Sequence, residues 1–210
     1  MPIRTSSGGK KWELAPEGMH VARCYRVIDC GTHTDPTWGK AQPKVLVMFE
    51  LPNKRREEDD KPYVVGNRYT LSHHEKARLR KDLESWYGKR FDDRHLDKAG
   101  GFDLEKLLGR PAMLNIVHSE DGRYANIRAV NPLPDGTVCP DPINPPVSLS
   151  LDPEDFDAEV FESLSEGLQE WIAESPEYKQ LSDTPSVEEE ESARAAGPNG
   201  DAASDDIAPF

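Results

Sequence analysis

The charge of this 210-residue chain is divided sharply along its length, and the division limits where a packed core can form. Residues 151–210 carry 18 acidic and 2 basic side chains, whereas residues 1–150 carry 21 acidic and 24 basic. The net charge of -13 is therefore the sum of a +3 body and a -16 arm. Like charge with little apolar surface cannot offset the entropy of ordering a chain, so residues 176–210 read as a disordered acidic tail. Averaged over the chain, the acidity would argue against a nucleic-acid partner. Partitioned, it leaves a slightly basic body free to meet one.

Five short runs in that body read as β-strands. Met19 to Asp29 is rich in β-branched and aromatic residues and is followed by Gly31 and Asp35-Pro36. Lys44 to Leu51 is an apolar run too short for a helix and ends at Pro52-Asn53. Tyr63 to Leu71 follows a charged loop, and Gly66 within it suggests a bulge or sharp bend. Pro111 to His118 and Arg123 to Val130 flank Asp121-Gly122, a hairpin signal. Between the third and fourth runs, Ser72 with Glu75 has the form of a capping box. Leu79, Leu83 and Trp86 then make a helical core stripe that Gly88 ends, and Asp103 to Leu108 is a shorter helical piece.

Six prolines between residues 131 and 150 exclude a helix or central strand, so residues 136–152 read as an extended linker or strap. Beyond it, Asp152 and Pro153 have the form of an N-cap and first helical residue. Phe156, Val160, Leu164, Leu168, Trp171 and Ile172 then predict one amphipathic helix over 153–175, stopped at Ser175-Pro176, with its stripe packed on the body or a second subunit. The chain is accordingly expected as a monomer or homodimer.

Five strands with a helix between the third and fourth is the order of an OB-fold, a partly open Greek-key barrel, here expected over residues 1–135. Sequence-tolerant binding of single strands needs cations along the phosphates and aromatic faces for the bases. The body interleaves both: Arg23 and Tyr25 in the first strand, Trp38, Lys40 and Lys44 around the following loop, Tyr63, Arg68 and Tyr69 in the third strand, and Arg123, Tyr124 and Arg128 in the last hairpin. Alternation in the last strand sends Ala125, Ile127 and Ala129 inward and Tyr124 and Arg128 outward. Tyrosines placed like Tyr63 and Tyr69 more often serve strand packing than base stacking, and Lys54-Arg55-Arg56 meets its own acidic neighbours Glu57 to Asp60.

The final residues, Asp205-Asp206-Ile207-Ala208-Pro209-Phe210, place apolar side chains at the end of an acidic tail, the form of a peptide that docks on a partner. Phe210 would fill an apolar pocket, while its carboxylate, Asp205 and Asp206 would meet basic residues. This end resembles the tip of bacterial single-stranded DNA-binding proteins, an acidic run followed by Ile-Pro-Phe; here Ala208 stands between Ile207 and Pro209. The stretches 12–31, 44–52, 68–86 and 102–130 resemble OB-fold single-stranded DNA-binding proteins of tailed bacteriophages. The resemblance implies a non-enzymatic protein that coats and protects single-stranded DNA in replication, recombination and repair, and recruits replication or recombination proteins through its tip.

Other classes have less support. No Walker A, G-x-S-x-G or H-E-x-x-H motif is present, so no enzyme and no cofactor is expected. His73-His74 lacks zinc-ligand spacing, and three cysteines fit a reducing cytoplasm, that of a bacterial host for a phage protein. No run approaches the roughly 18–20 apolar residues that cross a bilayer, and the polar start, Met1 to Lys11, is not a signal peptide. The alternatives are an acidic adaptor or DNA mimic that occupies another protein's DNA site, and a mediator that anneals strands.

Overall fold

The computed structural model describes residues 13–36, 39–98 and 100–183. The chain is mainly β. The strands β1 (Gly18–Thr34), β2 (Ala41–Arg55), β3 (Pro62–Thr70), β4 (Pro111–His118) and β5 (Ala125–Asn131) form a sheet in the order β3-β2-β1-β4-β5, and β6 (Val147–Leu149) adds to β1. Pairing is antiparallel except for β6, which runs parallel to β1 through Arg26↔Val147 to Ile28↔Leu149. The first strand is long enough to serve two neighbours on one edge: its start pairs with β4 and its middle with β6.

Both faces of this sheet are apolar, and bulges in β1 make that possible. The register against β2 slips between Cys24 and Arg26, so Ala22, Cys24 and Val27 enter one core while Ile28 and Cys30 enter a second on the opposite face. The inner core holds Phe49, Leu114, Ile116 and Ile127 and is closed by α1 (Arg78–Tyr87) through Leu79, Leu83 and Trp86. Trp86 lies 5.2 Å from Phe49 and donates from Nε1 to Pro111 O at 2.7 Å. Burial pushes the Cys24 and Cys30 thiols up to about 12, which keeps them protonated and unreactive.

The expected capping box is not formed. The helix starts six residues later than Ser72, after Ala77, and Ser72 Oγ accepts from His74 N in a local turn instead. Gly88 ends the helix in the left-handed region as expected. The Asp103 piece is a 3-10 turn, Leu104–Leu107, and α2 (Asp93–Lys98) precedes it. Gly66 makes no bulge: Met48↔Gly66 sits in unbroken register, and a side chain there would crowd Leu46, Met48 and Val47 O at 3.2–3.3 Å.

The proline-rich segment is docked rather than a free linker. Arg23 and Glu50 oppose each other across the β1–β2 ladder and grip the strap by complementary polarity. The Arg23 guanidinium donates to Gly109 O at 2.6 Å, Pro140 O at 2.7 Å and Cys139 O at 3.3 Å. Glu50, with no exposed surface, accepts from the Ile143 and Asn144 backbone N–H groups at 2.9 and 2.8 Å and from Asn144 Nδ2 at 2.7 Å. Prolines lack donors, but their carbonyls and the N–H groups between them remain available to such clamps.

The single helix expected over 153–175 is instead three: α3 (Ala158–Glu162), α4 (Glu166–Ala173) and α5 (Pro176–Asp183). Asp152 caps only a turn, and the working N-cap is Asp157, which accepts from Glu159 N and Val160 N at 2.9 and 3.1 Å. Between α3 and α4, Gln169 Nε2 donates to Glu162 O and Leu164 O, so the break strands neither carbonyl. Ser175-Pro176 begins a helix as well as ending one, because Ser175 Oγ accepts from Tyr178 N and proline suits the first helical position. The helix therefore runs into residues expected to be tail. The apolar stripe survives these breaks: Leu164, Leu168 and Ile172, with Phe156, Val160 and Trp171, pack on Ile28, Cys30 and Leu46.

Glu177 fastens α5 to β1, accepting from Thr32 N at 2.8 Å and Thr32 Oγ1 at 2.5 Å. Burial opposes its charge, but the Thr32 bonds outweigh it and hold the carboxyl below its usual range. A depressed carboxylate stabilises the fold above its unfolded pKa and loses that contribution as pH falls through the folded one. The Glu177→Gln variant should thus lose about 1 kcal/mol near neutral pH. Its thermal stability should also fall less than that of the parent between pH 6 and pH 3. Melts across that range check both. Asp29 beside it is raised, mainly by burial, so its own contribution has the opposite sign and cannot mimic the effect.

Candidate nucleic-acid interface

The edges of β3 and β5 approach without a ladder between them. Asn67 Nδ2 donates to Ile127 O at 3.3 Å, and Arg78 Nη2, from the first turn of α1, donates to the same oxygen at 2.6 Å. Residues following each of these positions face outward: Arg68 on β3 and Arg128 on β5 are both exposed. A groove of about 480 Å³ opens beside this seam, bordered by Gln42, Arg68, Thr70, Ser72, His74 and Arg78. Lys44 reaches its rim, with Nζ 2.9 Å from Thr70 Oγ1 and 3.3 Å from Gln42 Oε1. Arg78 is 3.5 Å from Asp82, itself the acceptor of the Tyr69 hydroxyl.

The β4–β5 hairpin extends this basic line. Because β3 and β5 both run in the sense of β1, Thr70 and Tyr124 lie on opposite sides of the seam. Each is three residues of extended chain away, about 10 Å. Tyr124 is 64% exposed, its turn held by Ser119 Oγ, which accepts from Arg123 N and Tyr124 N. Arg123 is exposed beside Asp121 at 3.4 Å. Lys40 is exposed two residues before Gln42, where Asp35 and Gly39 close the β1–β2 turn. Trp38 lies outside the described residues, as do Asp205, Asp206, Ile207, Pro209 and Phe210.

The other aromatic candidates do not present free faces. Tyr25, Tyr63 and Tyr69 are 6%, 8% and 4% exposed, and Tyr63 and Tyr69 belong to the inner core. Each of those two keeps its hydroxyl on a carboxylate: Tyr63 on Glu13 and Tyr69 on Asp82. The Glu13 bond pushes Tyr63 up to about 12, and burial, with the Asp82 charge, raises Tyr69. Tyr25 sits under Met48 and Arg26, raised by burial. Arg23 spends its donors on Gly109 O and on the strap carbonyls of Cys139 and Pro140. Of the sequence candidates, Lys40, Arg68, Arg123, Tyr124 and Arg128 are exposed and Lys44 is half-buried, whereas Arg23 is engaged by backbone carbonyls and Tyr25, Tyr63 and Tyr69 are buried.

Sequence reasoning missed Arg78 and His74, whose place in the groove depends on a β3–β5 approach that no local pattern encodes. It also missed His33 and Trp171. The indole of Trp171 stacks on His33 at 4.1 Å and 15°, and the Arg68 guanidinium lies 4.5 Å from its centre. Among the described residues no group of three His, Cys, Asp or Glu side chains could hold a metal ion, and no helix is long and apolar enough to cross a membrane. No protein-family model, no curated protein and no solved structure matches the chain.

Proposed function

We infer that the body is an OB-type barrel that binds single-stranded DNA without strong sequence preference. The observation that carries this reading is the strand order β3-β2-β1-β4-β5, with α1 between β3 and β4 and the β3 and β5 edges drawn together at Ile127 O. A five-stranded barrel left partly open at one seam has that order, and such barrels bind oligonucleotides on the strand 2–3 face and adjoining loops. Lys44, Arg68, Arg78 and Arg128 supply positive charge along that path, and Tyr124 supplies an exposed ring. Charge tracks phosphate and the ring accepts any base, a combination that gives affinity without reading sequence. The acidic tip, in this reading, recruits replication and recombination proteins.

Titration of the full chain with a labelled oligo-dT, followed by fluorescence anisotropy, tests this. Neutralising about four phosphates gives a salt slope of roughly -2.8, so affinity should fall about 50-fold between 50 and 200 mM salt. A duplex of equal length should bind more weakly. Absence of binding at 50 mM salt would overturn the reading. The adaptor or DNA-mimic alternative has its own observation: Glu159, Glu162, Glu166, Glu170 and Glu174 are all exposed on the docked helices. It predicts a chain that ignores DNA yet inhibits a DNA-acting enzyme.

A further inference from the structure

Arg68 differs from the other cations of the groove in how it is held. Arg78 is committed to Ile127 O and Asp82, and Lys44 to Thr70 and Gln42. Arg68 makes no hydrogen bond or ion pair among the described residues, yet its guanidinium lies over the Trp171 ring, 4.5 Å from the centroid. A guanidinium over an aromatic ring is held through its charge and its flat face, and its N–H groups stay available for a bidentate acceptor. The ring is fixed in turn. Trp171 stacks on His33 at 4.1 Å, His33 Nε2 is 2.8 Å from Cys30 O, and the next residue of α4, Ile172, is fully buried against β1.

We propose that Trp171 is a positioning residue that holds Arg68 ready to take a backbone phosphate of the bound strand in bidentate fashion. This deepens the DNA-binding reading and rests on it. The acidic arm thereby contributes to the basic groove, although its charge has the wrong sign to touch DNA itself. The geometry favours a phosphate over a base at this point, because Trp171 is only partly exposed and already stacked on His33 and Arg68, whereas the outer edge of Arg68 is open. An ordered fork also loses less freedom on binding than a mobile one, which is the source of the expected gain.

Anisotropy titrations of full-length variants with oligo-dT, each run over a salt series, test this. Arg68→Ala should weaken binding about tenfold, the size of a lost charge-assisted contact. It should also flatten the salt slope by about 0.7, one phosphate's worth. Arg68→Lys keeps the charge but not the flat stack, and should recover only part of the loss. Trp171→Ala should weaken binding nearly as much and flatten the slope likewise, Trp171→Phe should restore both, and the double alanine variant should be no weaker than Arg68→Ala. Because Arg68 is exposed, its variants retain the core whatever happens to the arm. If the parent binds but Arg68→Ala binds equally well, or if the two alanine losses multiply, the positioning role is overturned while the DNA-binding reading stands. If the parent itself fails to bind, both fall together.

Discussion

Replacing Gly31 with alanine should cost about 2–5 kcal/mol, a large share of the stability of a domain this size. Two effects add. Gly31 has φ +71, where an L side chain costs roughly 1–2 kcal/mol. Its missing Cβ is also the space into which the arm docks: a methyl there would sit 2.5 Å from Ser175 Oγ, closer still to Ser175 Cβ, and 2.9 Å from Glu177 Oε2. Ser175 is fully buried and Glu177 is bonded to Thr32, so neither can step aside without lifting α5. Overpacking of this kind typically adds about 1–3 kcal/mol. Gly88→Ala is the matched control, with φ +63 and nothing within 4 Å of the added methyl. Thermal unfolding of both should show the Gly31 variant melting several degrees lower. Equal melting points would mean that the arm is not seated on β1.

The elements most readable from the residues were those fixed by local period. The fourth strand begins and ends where its pattern does, and the Leu79, Leu83 and Trp86 stripe is buried as a unit. Readability failed where a distant partner decides. The slip at Tyr25 moves Val27 into the inner core and Ile28 into the outer one, and nothing in Met19 to Asp29 announces it. Tyr63 and Tyr69 resemble base platforms until Glu13 and Asp82, 50 and 13 residues away, are seen to take their hydroxyls. Arg23 reads as a phosphate contact because its true acceptors, Gly109 O, Cys139 O and Pro140 O, lie 86 to 117 residues later. The helix break after Glu162 is hidden for a different reason: the apolar stripe keeps its spacing across it.

Ending the chain after Leu151 should unfold it or drive it out of solution, whereas ending it after Asp183 should leave it folded with its melting point nearly unchanged. Judged by charge alone, the two cuts would be ranked the other way, since the first removes the whole -16 arm and leaves a +3 body. Burial gives the opposite order. Without α3, α4 and α5 the outer face of the sheet would expose Ile28, Cys30, Leu46, Leu149 and Leu151, all now below 10% exposure. Each large apolar side chain returned to water costs about 1.5–3 kcal/mol, so four of them approach the full stability of an ordinary domain. The exposed carboxylates of the arm contribute little by comparison: changing Glu159, Glu162 and Glu166 to glutamine should shift the melting point by only a degree or two. Circular dichroism melts of the two truncations and the triple glutamine variant separate these contributions. A chain ending at Leu151 that melted cooperatively at the parent temperature would make the arm a separate accessory, and the positioning of Arg68 by Trp171 would then lose its physical basis.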